Sequence, residues 1–492
     1  MKNFKILHNM TIFTLSALLI VGCNATDPTP EVTPENKDFS TIDGKTIKTE
    51  LFADYQKAEN QQPNAKNYFT IGDTVIIYHV PKVNTIVGTK PNLITIKNNT
   101  DANLPVKYVA LGGNLTAGVR DGGYFNEGIQ TSYPNLIARQ MQVEFTQPYF
   151  DDKDFNGFGR IVPTGNNPTG GPVQKFNIVK NNSGVESVSG NSITLKKYTG
   201  AEVDNFAVPY LWKGFLRPKG TLISYINDKS LKKEAVFRVF NQTDAYIGKM
   251  INKKPDIVTL EFRTTEILNN LLGGNDIIGQ FAKESKVFEP KPYYQEVFGT
   301  DLDMTSELEL LRFFEDNKIK NGVLLNVPDF TLLPYFNSIT SEMIKNSGLG
   351  NKLVQRDDIR FLPSSRMDSL LSPKIEITLK ILDSSHPLTG RDMVGGYISD
   401  FQKSINGFNT EISLFSKRFS YPIVDIKGLY EKVIKGTFIT NDGLTVTNKD
   451  FFSSDGIYPS ALGQACIANE VIKVINNTYK TTIPLINIKE FK

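Results

Sequence analysis

The sequence is poor in the residues that build metal centres and disulfides. Its 492 residues include only 2 cysteines and 3 histidines, and a structural metal site needs a cluster of such ligands. It also has no basic surplus, because 55 Lys and Arg stand against 52 Asp and Glu. A protein that binds nucleic acid neutralises phosphates with an excess of positive charge. We therefore expect no metal, no cofactor and no nucleic-acid partner.

Long apolar runs are missing beyond the start of the chain. There, two lysines precede an apolar run from Met10 to Val21, and Gly22 stands directly before Cys23. The run is too short to span a bilayer, and its order of charge, apolar core and small residue is typical of a signal peptide. The residues from Leu19 to Cys23 resemble a bacterial lipobox. We predict a lipoprotein signal peptide over residues 1–22 and attachment to the membrane through a lipid on Cys23.

The residues after Cys23 are predicted to form a tether. Residues 24–40 are rich in Pro, Thr, Asp and Glu, too polar to bury a core, so residues 23–40 are interpreted as a flexible link between the lipid and a folded body. Only Cys466 remains once Cys23 is acylated, which leaves no intramolecular disulfide. Cys466 lies on the apolar face of a predicted helix over 461–477, where a buried thiol is expected.

Residues 41–104 have the pattern of a small β-rich extension. Short apolar runs at Thr74–Val80 and Leu93–Ile96 are separated by proline and glycine, as in strands joined by turns. The last residues, 481–492, are assigned to a C-terminal tail.

From residue 105 to 480 the pattern changes to strands that alternate with helices. Apolar runs typical of buried strands occupy Val106–Leu111, Ile257–Phe262, Gly322–Val327 and Pro422–Ile426. Helices are predicted after them at Ser132–Met141, with Ser132 as the cap, at Glu266–Leu272 and within Met393–Phe419. This alternation predicts an α/β domain with a mainly parallel central sheet, whose site lies at the carboxyl ends of the strands. Residues 147–205, rich in Gly, Asn and Pro, are interpreted as a long insertion near that end.

Four separated stretches carry a family resemblance. They are Ala110–Gly118, Asn205–Tyr210, Leu260–Glu266 and Asp455–Ser460. Together they resemble the sequence blocks of the SGNH/GDSL ester hydrolases, particularly the lipoprotein branch found in Bacteroidetes, in the family's order and spacing. The resemblance covers roughly Val106 to Tyr479. It implies an SGNH-hydrolase-like three-layer α/β sandwich.

The same resemblance implies that the catalytic blocks are degenerate. Asn114 stands where the family has its nucleophilic serine, and Tyr458 where it has its histidine base. The oxyanion-hole glycine and asparagine correspond to Tyr210 and Thr265. A carboxamide cannot become an alkoxide, and a phenol with an ordinary pKa of about 10 is not a base at neutral pH. Only Asp455 of the catalytic residues is retained.

Some oxyanion-binding groups survive these replacements. Asn114 and Tyr210 keep their backbone N–H groups, and Thr265 has a hydroxyl. The resemblance therefore leaves open that these donors point at a ligand oxygen.

A relocated catalytic site would need other residues to act as nucleophile and base. His79 and His386 stand away from any predicted nucleophile and are interpreted as surface or turn residues. Glu261, Glu266 and Asp455 are the candidates for a carboxylate base, on the expectation that they approach one another at the strand ends. Four aromatic residues are candidates for a sugar- or acyl-binding groove: Tyr124, Phe125, Tyr210 and Trp212.

Three functional hypotheses follow. The leading one is a cell-envelope lipoprotein, in the outer membrane, whose hydrolase-like domain is catalytically inactive and acts as a binding or assembly module for a glycan, an acyl ester or a protein. One alternative is an active ester hydrolase, of the carbohydrate esterase or lipase type, with relocated catalytic residues. The other is a structural subunit of a surface complex.

Overall fold

The structure is a computed structural model, and it describes part of the chain. The described residues are 39–42, 45–48, 68–71, 74–77, 89–98, 104–151, 154, 157–163, 176–178, 184–189, 192–207, 209, 216, 237–241, 243–272, 304–338, 340, 342–343, 359–361, 393–395 and 398–492.

A four-stranded parallel sheet forms the centre of the molecule. Its strands are β1 (Tyr108–Leu111), β2 (Ile257–Glu261), β3 (Asn321–Leu325) and β4 (Ile423–Val424), arranged in the order β4-β3-β2-β1. β1 and β2 are buried along their whole length, as expected for parallel strands covered on both faces. The α/β class and the parallel sheet predicted from the sequence are confirmed.

One further chain segment pairs with the outer side of β1. Asn205 forms a parallel bridge with Ala110, and the Phe206 N–H donates to the Ala110 carbonyl at 2.8 Å. The chain thus leaves β1, passes one edge at Asn205 and returns to the other side as β2. The strand order reverses between β1 and β2, and in open α/β sheets the crevice at such a reversal is the usual ligand site.

Ten α-helices are described, labelled in chain order. They are α1 (Asn114–Ala117), α2 (Asn126–Gln130), α3 (Tyr133–Met141), α4 (Tyr246–Asn252), α5 (Thr264–Leu272), α6 (Thr305–Asp316), α7 (Ile398–Phe419), α8 (Ile426–Ile434), α9 (Asn448–Phe451) and α10 (Ala461–Tyr479). Short 3-10 helices lie at Ile94–Ile96, Phe330–Leu332, Pro334–Asn337 and Ile488–Phe491.

The other described strands form two-stranded antiparallel pairs. These are Phe39–Ile42 with Lys45–Lys48, Tyr68–Ile71 with Thr74–Ile77, Ile161–Pro163 with Phe176–Ile178, Val185–Ser189 with Ser192–Leu195, Ile359–Phe361 with Met393–Gly395, and Phe438–Ile439 with Thr445–Val446. Among the residues described, no helix has the length and apolar character that crossing a membrane requires.

One predicted element was wrong in type, and another was wrong at its start. Leu93–Ile96 is not a strand, because the Asn92 side chain accepts a hydrogen bond from the Ile94 N–H at 3.1 Å and bends the chain into a 3-10 turn. The run that begins at Met393 starts as a strand, Met393–Gly395. Its helix begins only at Ile398, after two glycines that favour helix poorly.

Ser132 stands at the predicted start of α3 but does not cap it with its side chain. Its hydroxyl donates to the Ile129 carbonyl at 2.8 Å. The Tyr133 N–H of the first turn is instead satisfied by the side-chain oxygen of Gln464, at 3.0 Å. A residue of α10 therefore supplies the side-chain acceptor at the start of α3, and only tertiary packing brings it there.

The ends of the predicted insertion are fixed to the domain. Phe158 pairs with Tyr124, and Arg160 donates to the buried carboxylate of Glu127 at 2.8 Å. Arg160 also lies over the Phe125 ring, 4.0 Å from its centroid. Residues 481–492 pack against the domain as well, with Ile488 and Phe491 buried.

Candidate functional site

The loop after β1 and the helix after β2 meet at the carboxyl end of the sheet, on either side of the strand-order reversal. Gly112 and Gly113 allow this contact. A Cβ on Gly112 would clash with Thr116 and Glu261, and one on Gly113 would clash with the Thr265 hydroxyl. The double glycine thus permits two polar side chains to reach the first turn of α1.

Asn114 and Tyr458 are bonded to each other at this point. The Asn114 side-chain amide donates to the Tyr458 hydroxyl at 2.6 Å, and the two residues are only 1% and 5% exposed. The Asn114 N–H donates to the Thr265 hydroxyl oxygen at 2.8 Å. Three of the four positions that the family resemblance singled out therefore lie together. The Asn114 N–H is used within the protein and does not face a ligand oxygen.

Asp455 is fully buried and holds the loop that carries Tyr458. Its Oδ1 accepts from the N–H groups of Ile457 and Tyr458, at 2.8 and 2.9 Å, and from the Ser453 hydroxyl at 2.9 Å. Its Oδ2 accepts from the Gly122 N–H at 2.9 Å. Asp455 thus stabilises its own loop and connects it by a hydrogen bond to the turn at 121–122.

Burial raises the pKa of Asp455 to about 6, and the negative charge of Asp121 adds to the increase. The backbone hydrogen bonds from Tyr458, Gly122 and Ile457 act in the opposite direction and stabilise the charged form. Desolvation therefore outweighs four donors at this carboxylate.

Glu261, the last residue of β2, is the second buried carboxylate of the site. Its Oε2 accepts from the N–H groups of Gly113 and Thr116, at 3.1 and 2.8 Å, and from the Thr116 hydroxyl. Its Oε1 accepts from the Thr264 hydroxyl. The free N–H groups of the first turn of α1 form an anion-binding position, and Glu261 occupies it.

A chain of two buried hydroxyls leads to Glu261. Tyr133 bonds to Thr116 at 2.8 Å, and a separate buried pair, Tyr108 and Thr259, is bonded at 2.8 Å. Because the Thr116 hydroxyl donates to Glu261 and each hydroxyl has one hydrogen, Tyr133 donates to Thr116 and both links of the chain donate toward the carboxylate. Aligned bonds of this kind reinforce one another and stabilise negative charge on Glu261.

The electrostatic effect of Glu261 is visible at neighbouring groups. Burial raises the pKa of Glu261 itself, and the bonds from Thr116 and Gly113 counteract that increase. Burial also raises the pKa of Tyr430, and the charges of Glu261 and Asp455 raise it further. The field at this end of the sheet is negative.

Arg263 lies just beyond Glu261 in a left-handed backbone conformation, with φ of 65°. Its guanidinium faces away from Glu261, pairing with Glu307 of α6 at 2.6 Å and with Glu266 at 3.0 Å. Burial raises the pKa of Glu307, and Arg263 counteracts it. Glu266 is therefore engaged in this ion-pair cluster and does not join Glu261 and Asp455 as a candidate base.

A pocket opens over these groups. Its enclosed volume is only about 20 Å³, room for about one water-sized group, and it opens to solvent through a mouth. Its polar lining comes from Asn114, Glu261, Thr264, Thr265, Tyr430 and Tyr458. Its apolar lining comes from Leu115, Leu268, Pro328, Phe330, Ile457 and Pro459.

Several predicted site residues do not contribute to this pocket. Tyr124 and Phe125 are core residues, 2% and 0% exposed, so the expectation that they line a groove was wrong: their rings pack against Phe158 and the Arg160 guanidinium. Cys466 is buried as expected, and burial raises the pKa of its thiol. Tyr210, Cys23, His79, His386 and Trp212 lie outside the described residues.

Sequence reasoning missed these buried hydroxyls and the role of Arg263. One signal was present, since Thr259 and Glu261 are polar residues two apart in an otherwise apolar strand. That spacing puts both side chains on the same face of the sheet.

Within the described part of the chain, no three His, Cys, Asp or Glu side chains are grouped so as to hold a metal ion. Comparison of the chain with protein-family models, with curated proteins and with solved structures gave no match. The family resemblance consequently rests on the four sequence blocks.

Proposed function

We propose that this protein is a lipid-anchored protein of the cell envelope whose SGNH/GDSL-hydrolase-like domain is a non-catalytic binding module. The observation that carries the proposal is the hydrogen bond between the Asn114 amide and the Tyr458 hydroxyl, 2.6 Å long and buried. The two positions that would hold the nucleophile and the base hold instead two neutral groups that satisfy each other.

The surroundings of this pair also argue against ester hydrolysis. Removing either member of a triad costs many powers of ten in rate. Asp455, which would orient a histidine, has four donors of its own. Hydrolysis also needs donors aimed at a developing oxyanion, and the N–H groups of Gly113, Asn114 and Thr116 are bonded to Glu261 or Thr265.

The topology supports a relationship to the SGNH/GDSL fold. If the segment at Asn205 is counted as the second strand, the chain order of the sheet is 2-1-3-4-5, an order common among doubly wound α/β proteins. The pocket lies at its reversal point.

Activity of the full-length chain, purified in a nonionic detergent, tests the proposal. The chain is incubated with 4-nitrophenyl acetate, 4-nitrophenyl butyrate and a fluorophosphonate probe that labels activated serines. The matched control is Asn114→Ala. We expect equal, background rates for both proteins and no labelling of either. Turnover by either protein at ten times the rate of a protein-free blank would overturn the proposal, and equal turnover by both proteins would favour a relocated catalytic group.

The lipid anchor is tested separately. Cys23→Ala should abolish acylation, measured as loss of the lipid mass on the N-terminal peptide, and should move the protein from the detergent phase to the aqueous phase of a Triton X-114 partition. Cys466 offers a matched control, because its thiol is buried: Cys466→Ala should remain acylated. Equal partition of the Cys23→Ala and natural proteins would contradict the anchor.

A further inference from the structure

The pocket at the carboxyl end of the sheet has one charge and an unusual distribution of donors. Among its described lining residues, Glu261 is the only one that carries a charge, and none is a cation. A site of this kind attracts positive or donor-rich groups and repels anions.

The carboxylate retains capacity to accept a hydrogen bond. Three donors converge on Oε2 of Glu261, from Gly113 and Thr116, whereas among the described residues only the Thr264 hydroxyl bonds to Oε1. Each carboxylate oxygen has two lone pairs and so accepts at least two hydrogen bonds. Glu261 and Thr264 both line the pocket, so the remaining position on Oε1 is open to a donor that enters it.

The walls suit an alkyl chain that ends in a cation. Phe330, Tyr430 and Tyr458 supply aromatic rings, and Leu268 and Pro459 supply apolar contacts. Aromatic rings attract ammonium groups, and apolar contacts favour methylene groups. The enclosed volume holds about one water-sized group, so it suits the ammonium head, and an unbranched chain leaves it through the mouth.

No cationic side chain is found for an anion among the described residues that line the pocket. The N–H groups that would bind one are those of Gly113, Asn114 and Thr116, and all three are bonded within the protein. The N–H donors of this turn are occupied by Glu261 or Thr265, and the charged group that lines the pocket is the acceptor Glu261.

We infer that the pocket recognises a primary ammonium group on an unbranched alkyl chain, bound by Glu261 at its floor. This inference rests on the proposed binding function and names the ligand chemistry of that same site. The ammonium donates to Oε1 of Glu261, and its methylene groups lie against the apolar and aromatic walls.

Calorimetry and NMR on the full-length chain test the inference with three probes of equal size: n-butylammonium, n-butanol and butyrate. We expect n-butylammonium to bind with a Kd of about 1 mM, as suits so small a ligand, and the other two to bind at least tenfold more weakly. Glu261→Gln keeps the volume and removes the charge, and should weaken n-butylammonium binding about tenfold or more. Glu309→Gln makes the same change at an exposed position of α6 and should have no effect.

A second variant guards against misfolding of Glu261→Gln. Thr264→Val keeps the carboxylate and removes the hydroxyl that competes for Oε1, so n-butylammonium should bind a few times more tightly. Weaker binding by this variant, tighter binding of butyrate, equal binding of all three probes or binding of none would overturn the inference. None of these results bears on hydrolysis, which alone decides whether the domain is non-catalytic.

Two carriers of a primary ammonium are distinguished by two further probes. Nα-acetyl-lysine methylamide represents a protein side chain, and phosphoethanolamine represents a lipid headgroup with its phosphate. Preference for the lysine derivative supports a protein partner, and preference for phosphoethanolamine supports a lipid. Binding of either supports the ammonium site.

Discussion

The two ends of the central sheet use polar residues in different ways. At the amino end, Asp256 accepts from the N–H groups of Asn98 and Lys107 at 2.7 and 2.8 Å, and Asn321 donates to the carbonyls of Ile96 and Asp256. At the carboxyl end, Glu261 and Asp455 are buried beside a pocket and their pKa values are raised. Side chains at the amino end pin backbone segments together. Asp256 is buried too. At the carboxyl end burial raises the pKa of Glu261 and of Asp455, so their charged forms cost stability, which is tolerated where a site requires it.

Removing the partner of a buried carboxylate at the carboxyl end should have the largest effect. Arg263→Ala leaves Glu307, which has no exposed surface, without its ion pair. We expect a loss of about 3–5 kcal/mol in the free energy of unfolding, measured by urea denaturation. The double variant Arg263→Met/Glu307→Leu should recover most of it. Arg263→Gly should be about 1 kcal/mol more stable than Arg263→Ala, because it relieves the left-handed backbone. A loss below 1 kcal/mol for Arg263→Ala would show that the ion pair with Glu307 contributes little to the free energy of unfolding.

The pH dependence of stability should be the next largest effect. Asp455 has a pKa of about 6 when folded, against 3.8 ordinarily, so the folded state binds its proton first. The contribution of the protonated Asp455 carboxyl to folding stability is fully present below about pH 3.8. It is lost as the pH rises through about 6, because the folded protein must then hold a buried charge. Between pH 7 and 4 the natural chain should therefore gain up to about 3 kcal/mol relative to Asp455→Asn. Parallel urea titrations at several pH values measure this difference. Identical pH profiles for the two proteins would show that the charge of Asp455 is not destabilising.

A smaller effect is expected from the pair over the pocket. Tyr458→Phe removes the hydroxyl that accepts from the Asn114 amide and should lower the free energy of unfolding by about 1 kcal/mol. A double-mutant cycle with Asn114→Ala isolates this bond, and its coupling energy should be about 1 kcal/mol. Strict additivity of the two single changes would mean that the bond contributes nothing.

The smallest effect should come from the amino end. Asp256→Asn keeps one oxygen and leaves one of two backbone N–H groups without its acceptor, a loss of about 0.5–1 kcal/mol. Binding of n-butylammonium should not change, since Asp256 is at the opposite end of the sheet. A change in that binding would show that the two ends are energetically coupled.

Much of the fold was predictable because parallel strands that are buried on both faces consist almost entirely of apolar residues. Continuous apolar runs identified all four strands of the sheet, with each boundary correct to within two residues. Leu93–Ile96 failed because the side chain of Asn92 bends the backbone locally. Ser132 failed as a cap because its hydroxyl donates to the Ile129 carbonyl. The Tyr133 N–H at the start of α3 bonds instead to Gln464, which is 331 residues further along the chain than Tyr133.

The candidate site was predictable only in its outline. The four sequence blocks brought Asn114, Thr265 and Tyr458 into one hypothesis, and the structure places all three at one pocket. What the blocks did not predict is how these groups are used. The direction of a hydrogen bond depends on neighbours that no local pattern encodes, and the Asn114 N–H accordingly bonds to Thr265.

The sequence by itself determined the α/β class and the positions of the strands, because these depend on composition and local periodicity, and its family resemblance named Asn114, Thr265 and Tyr458 as candidate site residues. Only the tertiary structure decided that Glu261 occupies the anion-binding turn, that buried hydroxyls converge on it, and that Asp455 holds a loop closed. Each of these depends on side chains from distant segments that meet where water is excluded, and there an unpaired polar group is costly enough to dictate its partner.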